Sequence, residues 1–89
     1  MRYQVEILPE AAEAIRRLDT AISRRILLRL NWLSINFEFI QPQRLTGKLR
    51  NMYKLRVAGD YRLLYSVSRT ERLLIVHRVG HRRDVYKEK

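Results

Sequence analysis

The spacing of apolar residues changes twice along this chain, and these changes restrict its fold more than any other feature. Over residues 3–7 apolar and polar residues alternate, which is typical of a strand with one buried face. Over residues 9–37 the apolar residues recur at helical spacing. Strand-like runs return at 53–57, 61–67 and 73–79, and the last run looks buried on both faces because it is almost entirely apolar.

Two helices are predicted after the first strand. Pro9 suits the first turn of a helix over about 9–18, because that turn does not use its backbone N–H. Asp19 or Thr20 can cap a second, longer helix. Its apolar stripe consists of Ile22, Ile26, Leu30, Leu33 and Phe37. The short link predicts an antiparallel helical hairpin, so the expected fold class is α+β, in the order β-α-α-β-β-β, with the hairpin packed on one face of an antiparallel sheet.

The length of 89 residues predicts a single domain spanning residues 1–89. The chain has no cysteine, which excludes disulfides and thiolate metal sites and is typical of a reducing cytosol. The start of the sequence has no apolar signal region, and its longest apolar runs are too short to cross a bilayer. We therefore expect a soluble, cytoplasmic protein with no membrane partner.

Positive charge is concentrated in the second half of the chain. The 19 Lys and Arg residues outnumber the 9 Asp and Glu residues, and the excess is +1 over residues 1–40 but +9 over residues 41–89. A segment this basic attracts phosphate and gives fast, salt-sensitive association with nucleic acid. The alternative is a basic surface that only keeps the protein soluble.

Strand alternation predicts that several of these cations share one face of the sheet. If Tyr53 and Leu55 face the helices, then Lys54 and Arg56 project from the opposite, open side, and Arg62 joins them there. Four more residues follow the last strand at the edge of the sheet, where we expect them to converge with these cations: His81, Arg82, Arg83 and Tyr86. The alternative is that the cations are ordinary solvated residues of an exposed strand.

These residue types favour RNA cleavage without a metal or other cofactor. His77 and His81 are the only histidines, and the four acidic residues of the basic half are scattered, so clustered metal ligands are not expected. RNA carries its own nucleophile, the 2′-OH, and guanidinium groups match the phosphate oxygens. His77 is interpreted as a structural residue of its strand. His81 is interpreted either as an auxiliary acid or base beside Arg82 or as a partner of a turn.

A second candidate surface lies on the long helix. Trp32, Ile35 and Phe39 fall off its main apolar stripe. A basic protein with exposed apolar residues suits an acidic, amphipathic partner helix, so these three residues are predicted to bind a protein partner. A contact between two copies of the chain is the competing interpretation.

Four runs of residues resemble the RelE branch of the RelE/ParE toxin superfamily. They are LTGKL from Leu45, YKLRV from Tyr53, GDYRLLY from Gly59 and VGHRRDVY from Val79. The resemblance implies a toxin that cleaves messenger RNA in the ribosomal A site through metal-independent 2′-OH attack and so inhibits translation. It also implies neutralisation by a RelB-like antitoxin, in a toxin–antitoxin hetero-oligomer. The surface of Trp32, Ile35 and Phe39, predicted above from the helix pattern, is our candidate contact for that antitoxin.

The resemblance also implies roles for individual residues. Lys54 is similar to the general base of the family, and Arg56 stands where the family often has a second lysine. Arg62 is similar to the phosphate-binding arginine, Arg82 to the residue that assists the leaving group, and Tyr86 to the tyrosine that stacks on a messenger base. Further RNA contacts are expected from Lys48, Arg50, His81 and Arg83. The spacing from Gly80 to Tyr86 is shorter than in the enterobacterial relative of this branch, so Arg82 and Arg83 both stay candidates for the catalytic arginine.

Two alternatives use the same fold. One is a ParE-like toxin that inhibits DNA gyrase by binding and is not a nuclease. The other is a degenerate member that has lost catalysis and only binds its antitoxin. The joint presence of Lys54, Arg62, Arg82 and Tyr86 favours the nuclease, because a gyrase inhibitor does not need that set.

Overall fold

The computed structural model describes residues 2–87, so residues 1, 88 and 89 of the predicted domain lie outside it. Its elements follow the predicted order and confirm the α+β class. The helices and strands are β1 (Gln4–Ile7), α1 (Pro9–Arg17), α2 (Thr20–Asn36), β2 (Gln43–Arg44), β3 (Tyr53–Val57), β4 (Tyr61–Ser68) and β5 (Leu73–His81). Short 3-10 helices follow α2 at Phe37–Phe39 and precede β3 at Gly47–Leu49. None of the helices within residues 2–87 has the length and apolar character that a bilayer span requires.

The five strands form one sheet in the order β1-β5-β4-β3-β2. Strands β2 to β5 pair antiparallel, whereas β1 pairs parallel with β5. The parallel pair differs from the wholly antiparallel sheet expected from the sequence. Parallel neighbours need a long crossover, and the chain between β1 and β5 supplies it. Strand β2 was not predicted either, because two residues are too few to show alternation.

The helical hairpin forms as the sequence predicts. Pro9 is the first residue of α1, and Asp19 caps α2 by accepting a hydrogen bond from the Ala21 N–H at 3.1 Å. The Ser23 hydroxyl donates to the Ile15 carbonyl at 2.6 Å, which ties the first turn of α2 to the last turn of α1. The two helices are therefore held together by polar contacts as well as by their apolar faces.

The core lies between the hairpin and one face of the sheet. The α2 stripe contributes Ile26, Leu30, Leu33 and Phe37, all buried, which confirms the predicted inward phase of the helix. The ring of Phe37 packs edge-on against Tyr3 and Tyr65, at centroid distances of 5.0 and 6.3 Å. The sheet contributes buried side chains at the predicted inward positions of β3 and β4, among them Leu55, Val57, Leu63 and Tyr65.

Strand β5 is less buried than its apolar composition predicts. Leu74, Val76 and Val79 are buried, but Leu73 and Ile75, which point away from the helices, are only half-buried. The expectation of burial on both faces is wrong because helices cover just one side of this sheet. Its other side, called the open face below, carries most of the predicted site.

Candidate nucleic-acid interface

Three predicted cations lie on neighbouring positions of the open face. The strand register pairs Arg56 with Arg62 and Lys54 with Leu64, and it pairs Arg62 with Gly80 on the other side. Side chains of directly opposed residues start about 5 Å apart. Arg56 and Arg62 are therefore immediate neighbours, and Lys54 is two residues before Arg56 on β3 and projects from the same face of the sheet. Such a group of cations can contact one phosphate from two sides.

The exposure of Arg62 differs from the expectation. Arg56 is exposed and Lys54 is half-buried, but Arg62 is only 7% exposed. Its Nη1 donates to the carbonyls of Gly59 at 2.7 Å and Tyr61 at 2.9 Å. The prediction that all three cations stand on an open surface is therefore wrong for Arg62. A guanidinium can be buried here because backbone carbonyls of the adjacent turn satisfy it.

That turn, residues 58–60 between β3 and β4, also holds Arg82. Ala58 and Gly59 both have left-handed backbones, at φ values of 51° and 76°. The Arg82 N–H donates to the Asp60 carbonyl at 2.7 Å, and Arg82 Nε lies 3.8 Å from Asp60 Oδ1. The 58–60 turn therefore joins the buried Arg62 to the exposed Arg82, two residues that are 20 positions apart in the chain.

The segment after β5 folds back as a turn over residues 82–87. The Asp84 and Val85 N–H groups donate to the His81 carbonyl at 2.9 and 3.0 Å. Arg78 Nη1 donates to the carbonyls of Val85 at 3.2 Å and Lys87 at 2.8 Å. Arg78 pairs with Leu64, and Leu64 pairs with Lys54 on its other side. The Arg78 side chain therefore lies on the open face and anchors this turn beside the cations. Sequence reasoning missed this role, and the only signal was an arginine that ends an apolar run. Tyr86, within the turn, is half-buried.

The other predicted RNA contacts are more dispersed. His81 pairs with Tyr61, on the helix side of the sheet, and their rings are 5.5 Å apart. Its Nδ1 accepts the Arg83 N–H at 3.2 Å, so the imidazole is engaged in a turn and does not join Lys54 and Arg56. Arg83 itself is exposed.

Lys48 and Arg50 are exposed in the loop that enters β3. Arg50 Nη1 donates to the Gly47 carbonyl at 3.3 Å, within the same loop. These two residues thus flank the site through a separate segment of the chain and do not belong to the cation group itself.

One polar pair of the open face was not predicted as a site. Ser66 Oγ and His77 Nε2 are 2.8 Å apart. Burial, with a smaller contribution from Arg78, lowers the pKa of His77 below its usual value. Local sequence gives no sign of the pair, because it depends on how β4 and β5 are aligned. Within the described residues, no three His, Asp or Glu side chains are grouped to hold a metal ion.

A separate apolar stripe is exposed on α2 and the turn that follows it. The side chains of Trp32, Ile35 and Phe39 are 38%, 46% and 80% exposed. Leu28, one turn before Trp32, is 64% exposed and extends the stripe beyond the three predicted residues. The Arg29 guanidinium lies 4.2 Å from the Trp32 ring centre, and its Nε donates to the Arg56 carbonyl at 3.3 Å.

The fold, the basic open face and the apolar stripe can be compared with known proteins. A family model for the ParE toxin of the type II toxin-antitoxin system parDE matches residues 5–86. This defines the protein as a toxin of the type II toxin–antitoxin class. Because the match covers nearly the whole sequence, the chain belongs to the ParE toxin family, within the RelE/ParE superfamily. The resemblance found in the sequence is thus confirmed. The sequence matches none of the curated proteins with which it was compared.

Solved toxin structures share the fold. The toxin–antitoxin complex RelBE2 from Mycobacterium tuberculosis aligns with a TM-score of 0.82 at 25% identity, over 94% of this chain and 95% of that one. The archaeal RelE–RelB complex from Pyrococcus horikoshii aligns at 0.66 with 25% identity, over 96% and 100%. The isolated RelE toxin of E. coli aligns at 0.73 with 20% identity, over 98% and 88%, a likeness of fold alone.

Proposed function

We propose that this toxin is a ribosome-dependent endoribonuclease that cuts messenger RNA and so inhibits translation in the cytoplasm. The observation that carries the proposal is the grouping of Lys54, Arg56 and Arg62 on one face of the sheet. Arg82 lies nearby, because it and Arg62 both donate hydrogen bonds to carbonyls of the 58–60 turn. A toxin that acts only by binding a protein does not need cations converging on one phosphate. The ribosome would present the messenger to this face and supply the remaining positioning.

The basic residues can carry out each step of transesterification. Lys54, as a neutral amine, takes the proton of the 2′-OH, and the resulting oxygen attacks the adjacent phosphorus. Arg56 and Arg62 neutralise the non-bridging oxygens as negative charge builds up on the phosphorane. The bond to the 5′-oxygen then breaks while Arg82 stabilises the negative charge on that oxygen, which takes its proton from water. The products are a 2′,3′-cyclic phosphate and a free 5′-OH, while Tyr86 stacks on a neighbouring base.

The contacts of Arg62 and Arg82 suit different parts of this reaction. Arg62 is fixed by two carbonyl hydrogen bonds from a single nitrogen, so its position is set before RNA arrives. Arg82 is 64% exposed and its pairing with Asp60 is long, at 3.8 Å. Exposed ion pairs of this kind contribute little stability, so a phosphate can replace Asp60 as the partner of Arg82. Its neighbour Arg83 is the other candidate for that role.

The exposed stripe on α2 supports binding of an antitoxin. Leu28, Trp32, Ile35 and Phe39 form an apolar strip on a chain of net charge +10. An acidic, amphipathic helix of a RelB-like antitoxin complements both properties. The resulting complex would be a toxin–antitoxin hetero-oligomer. Self-association through the same stripe is the competing outcome.

Cleavage on programmed ribosomes tests the enzymatic proposal. Primer extension of the messenger should show cuts in the A-site codon with the wild-type toxin, and Arg62→Ala and Arg82→Ala should each abolish them. Arg24→Ala, which removes an exposed arginine of α2, is the matched control and should cut normally. Undiminished cleavage by both site variants would reject the site assignment.

The family match supports a second candidate, inhibition of DNA gyrase. The matching family model describes the ParE toxin of the parDE system, and inhibition of gyrase by binding is the activity expected of a ParE-like toxin. Gyrase-dependent DNA breaks without messenger cleavage, undiminished in Arg62→Ala and Arg82→Ala, would establish this function. A chain that causes neither effect yet binds its antitoxin would be a degenerate member.

A further inference from the structure

A hydroxyl and an imidazole lie side by side on the open face, close to the cations. Ser66 Oγ and His77 Nε2 are 2.8 Å apart, and both residues are half-buried and keep part of their surface exposed to solvent. Ser66 is two residues beyond Leu64 on β4, and Leu64 is paired with Lys54. This diagonal relation separates Ser66 from Lys54 by about 7–8 Å. The pair and the lysine therefore belong to one surface.

A β-bulge brings His77 to this surface. Leu64 pairs with Arg78 and Tyr65 pairs with Val76, which leaves His77 as the extra residue of β5. Regular alternation from the inward Val79 would turn His77 toward the helices. The bulge instead puts His77 beside Ser66, on the side where Arg78 lies. Bulges commonly redirect one side chain in this way next to functional sites.

The pair has a defined capacity for further hydrogen bonds. If Ser66 donates to Nε2, then Nδ1 carries the proton and can donate, while Oγ can still accept. If Nε2 donates to Oγ, the hydroxyl can donate and Nδ1 can accept. In either tautomer the Ser66 hydroxyl can form a further hydrogen bond, as acceptor or as donor, while Nδ1 points away from Ser66. The lowered pKa of His77 keeps the imidazole neutral at neutral pH, which this arrangement requires.

We propose that Ser66 and His77 form a subsite for the edge of one unpaired nucleobase, in an RNA strand whose phosphate contacts Lys54 and Arg56. The edge of a base presents hydrogen-bond donors and acceptors, and one of these groups can pair with the Ser66 hydroxyl that His77 orients. The choice of RNA as ligand rests on the proposed function. The subsite would make the toxin select among bases at one messenger position.

Binding of uncleavable RNA tests the subsite directly. Four short, labelled, single-stranded oligoribonucleotides would differ at one base, and a 2′-deoxy sugar before that base would prevent attack. By fluorescence anisotropy, wild-type toxin should prefer one base by roughly tenfold. Ser66→Ala should remove that preference and keep the affinity for the weakest base. Ser66→Thr, which retains the hydroxyl, should keep the preference, as should Ser68→Ala, which removes a hydroxyl two residues further along the same strand.

The outcomes separate this inference from the proposed nuclease activity. Equal binding of all four bases by the wild type, or an unchanged preference in Ser66→Ala, would overturn the subsite. Messenger cleavage on ribosomes is scored independently. If the wild type does not cleave but shows a base preference that depends on Ser66, the nuclease proposal fails and the base subsite stands.

Discussion

Arg56 lies directly opposite Arg62 across strands β3 and β4. Like charges that face each other in a sheet destabilise it, and nothing in the architecture of the strands requires two arginines there. The buried Arg62 guanidinium turns onto the carbonyls of Gly59 and Tyr61, while Arg56 stays exposed. The two facing arginines therefore lower the stability of the sheet and concentrate positive charge on its open face.

Replacing Arg56 with threonine should stabilise the fold. Removal of the cross-strand repulsion should raise the free energy of unfolding by about 0.5 kcal/mol, measured by urea denaturation at low salt. Arg56→Lys keeps the charge and should show no such gain. The gain should shrink in high salt because exposed charges are screened. A gain of the same size at every salt concentration would contradict the electrostatic explanation. Messenger cleavage by Arg56→Thr should fall.

Arg62 and Arg82 should differ in their effect on stability. Arg62→Ala removes a buried guanidinium and its hydrogen bonds to the Gly59 and Tyr61 carbonyls, and we expect a loss of about 1–3 kcal/mol in the free energy of unfolding. Arg82→Ala removes only an exposed ion pair, so its loss should stay below about 1 kcal/mol. Thermal unfolding of both variants checks this. Equal losses would mean that the Arg62 hydrogen bonds do not matter, and cleavage should be compared at a temperature where both variants are folded.

Replacing Tyr65 with phenylalanine should leave the toxin as stable or make it more stable. Within the described residues, the buried Tyr65 hydroxyl has no hydrogen-bond partner. Burial, with a smaller contribution from Tyr53, raises its pKa from 10.0 to about 12. Removal of an unsatisfied hydroxyl should change the free energy of unfolding by roughly 0 to +1 kcal/mol. Tyr53→Phe, at a half-buried ring 5.6 Å away, is the control and should have little effect.

The same tyrosine predicts a loss of stability in alkali. In the unfolded chain Tyr65 ionises near pH 10, whereas in the folded protein it resists ionisation up to about pH 12. Its contribution is complete below pH 10 and is lost as the pH rises toward 12. Urea unfolding at pH 9 and pH 11 should show a smaller fall for Tyr65→Phe than for the wild type. Parallel curves would show that Tyr65 does not ionise differently in the two states.

His77 predicts a loss of stability in mild acid. Burial and Arg78 lower its pKa in the folded protein below the usual 6.5, so the unfolded chain takes up a proton first. The stability due to neutral His77 is complete above pH 6.5 and is lost as the pH falls through the lowered pKa. His77→Gln should flatten this dependence in unfolding measured between pH 7.5 and 5.5. The Glu38 carboxylate, whose pKa Arg72 lowers, affects stability only in stronger acid, below its usual 4.5.

The sequence predicts those features that depend on local spacing. The inward stripe of α2 and the inward phase of β3 and β4 follow from periodicity alone, and the structure agrees at Ile26, Leu55 and Leu63. Alternation shows which side of a sheet a residue occupies, but it does not show what covers that side. For that reason the burial of Arg62 under the 58–60 turn was not predictable.

Features that depend on strand pairing could not be predicted from the sequence either. The bulge at His77 and the parallel pairing of β1 with β5 arise from how distant segments align. The proximity of Arg62 and Arg82 was predicted only in part. Family resemblance suggested that both act at one site, but only the hydrogen bond from the Arg82 N–H to Asp60 shows the turn they share.

A charge inserted into the exposed apolar stripe of Leu28, Trp32, Ile35 and Phe39 should weaken antitoxin binding and leave messenger cleavage intact. Leu28→Glu and Ile35→Glu introduce a negative charge into an exposed apolar strip that faces away from the core. Each should weaken binding of the cognate antitoxin by at least tenfold, because apolar anchors dominate such interfaces. Thr20→Glu adds the same charge at an exposed position off the stripe and is the matched control. Messenger cleavage should be unchanged in all three variants, since the stripe and the open face are on different layers of the fold.

Titration calorimetry gives the affinities, and sedimentation of the free toxin tests the competing dimer. Antitoxin affinity that survives both stripe substitutions, together with a loss of self-association, would assign the stripe to contacts between two copies of the toxin.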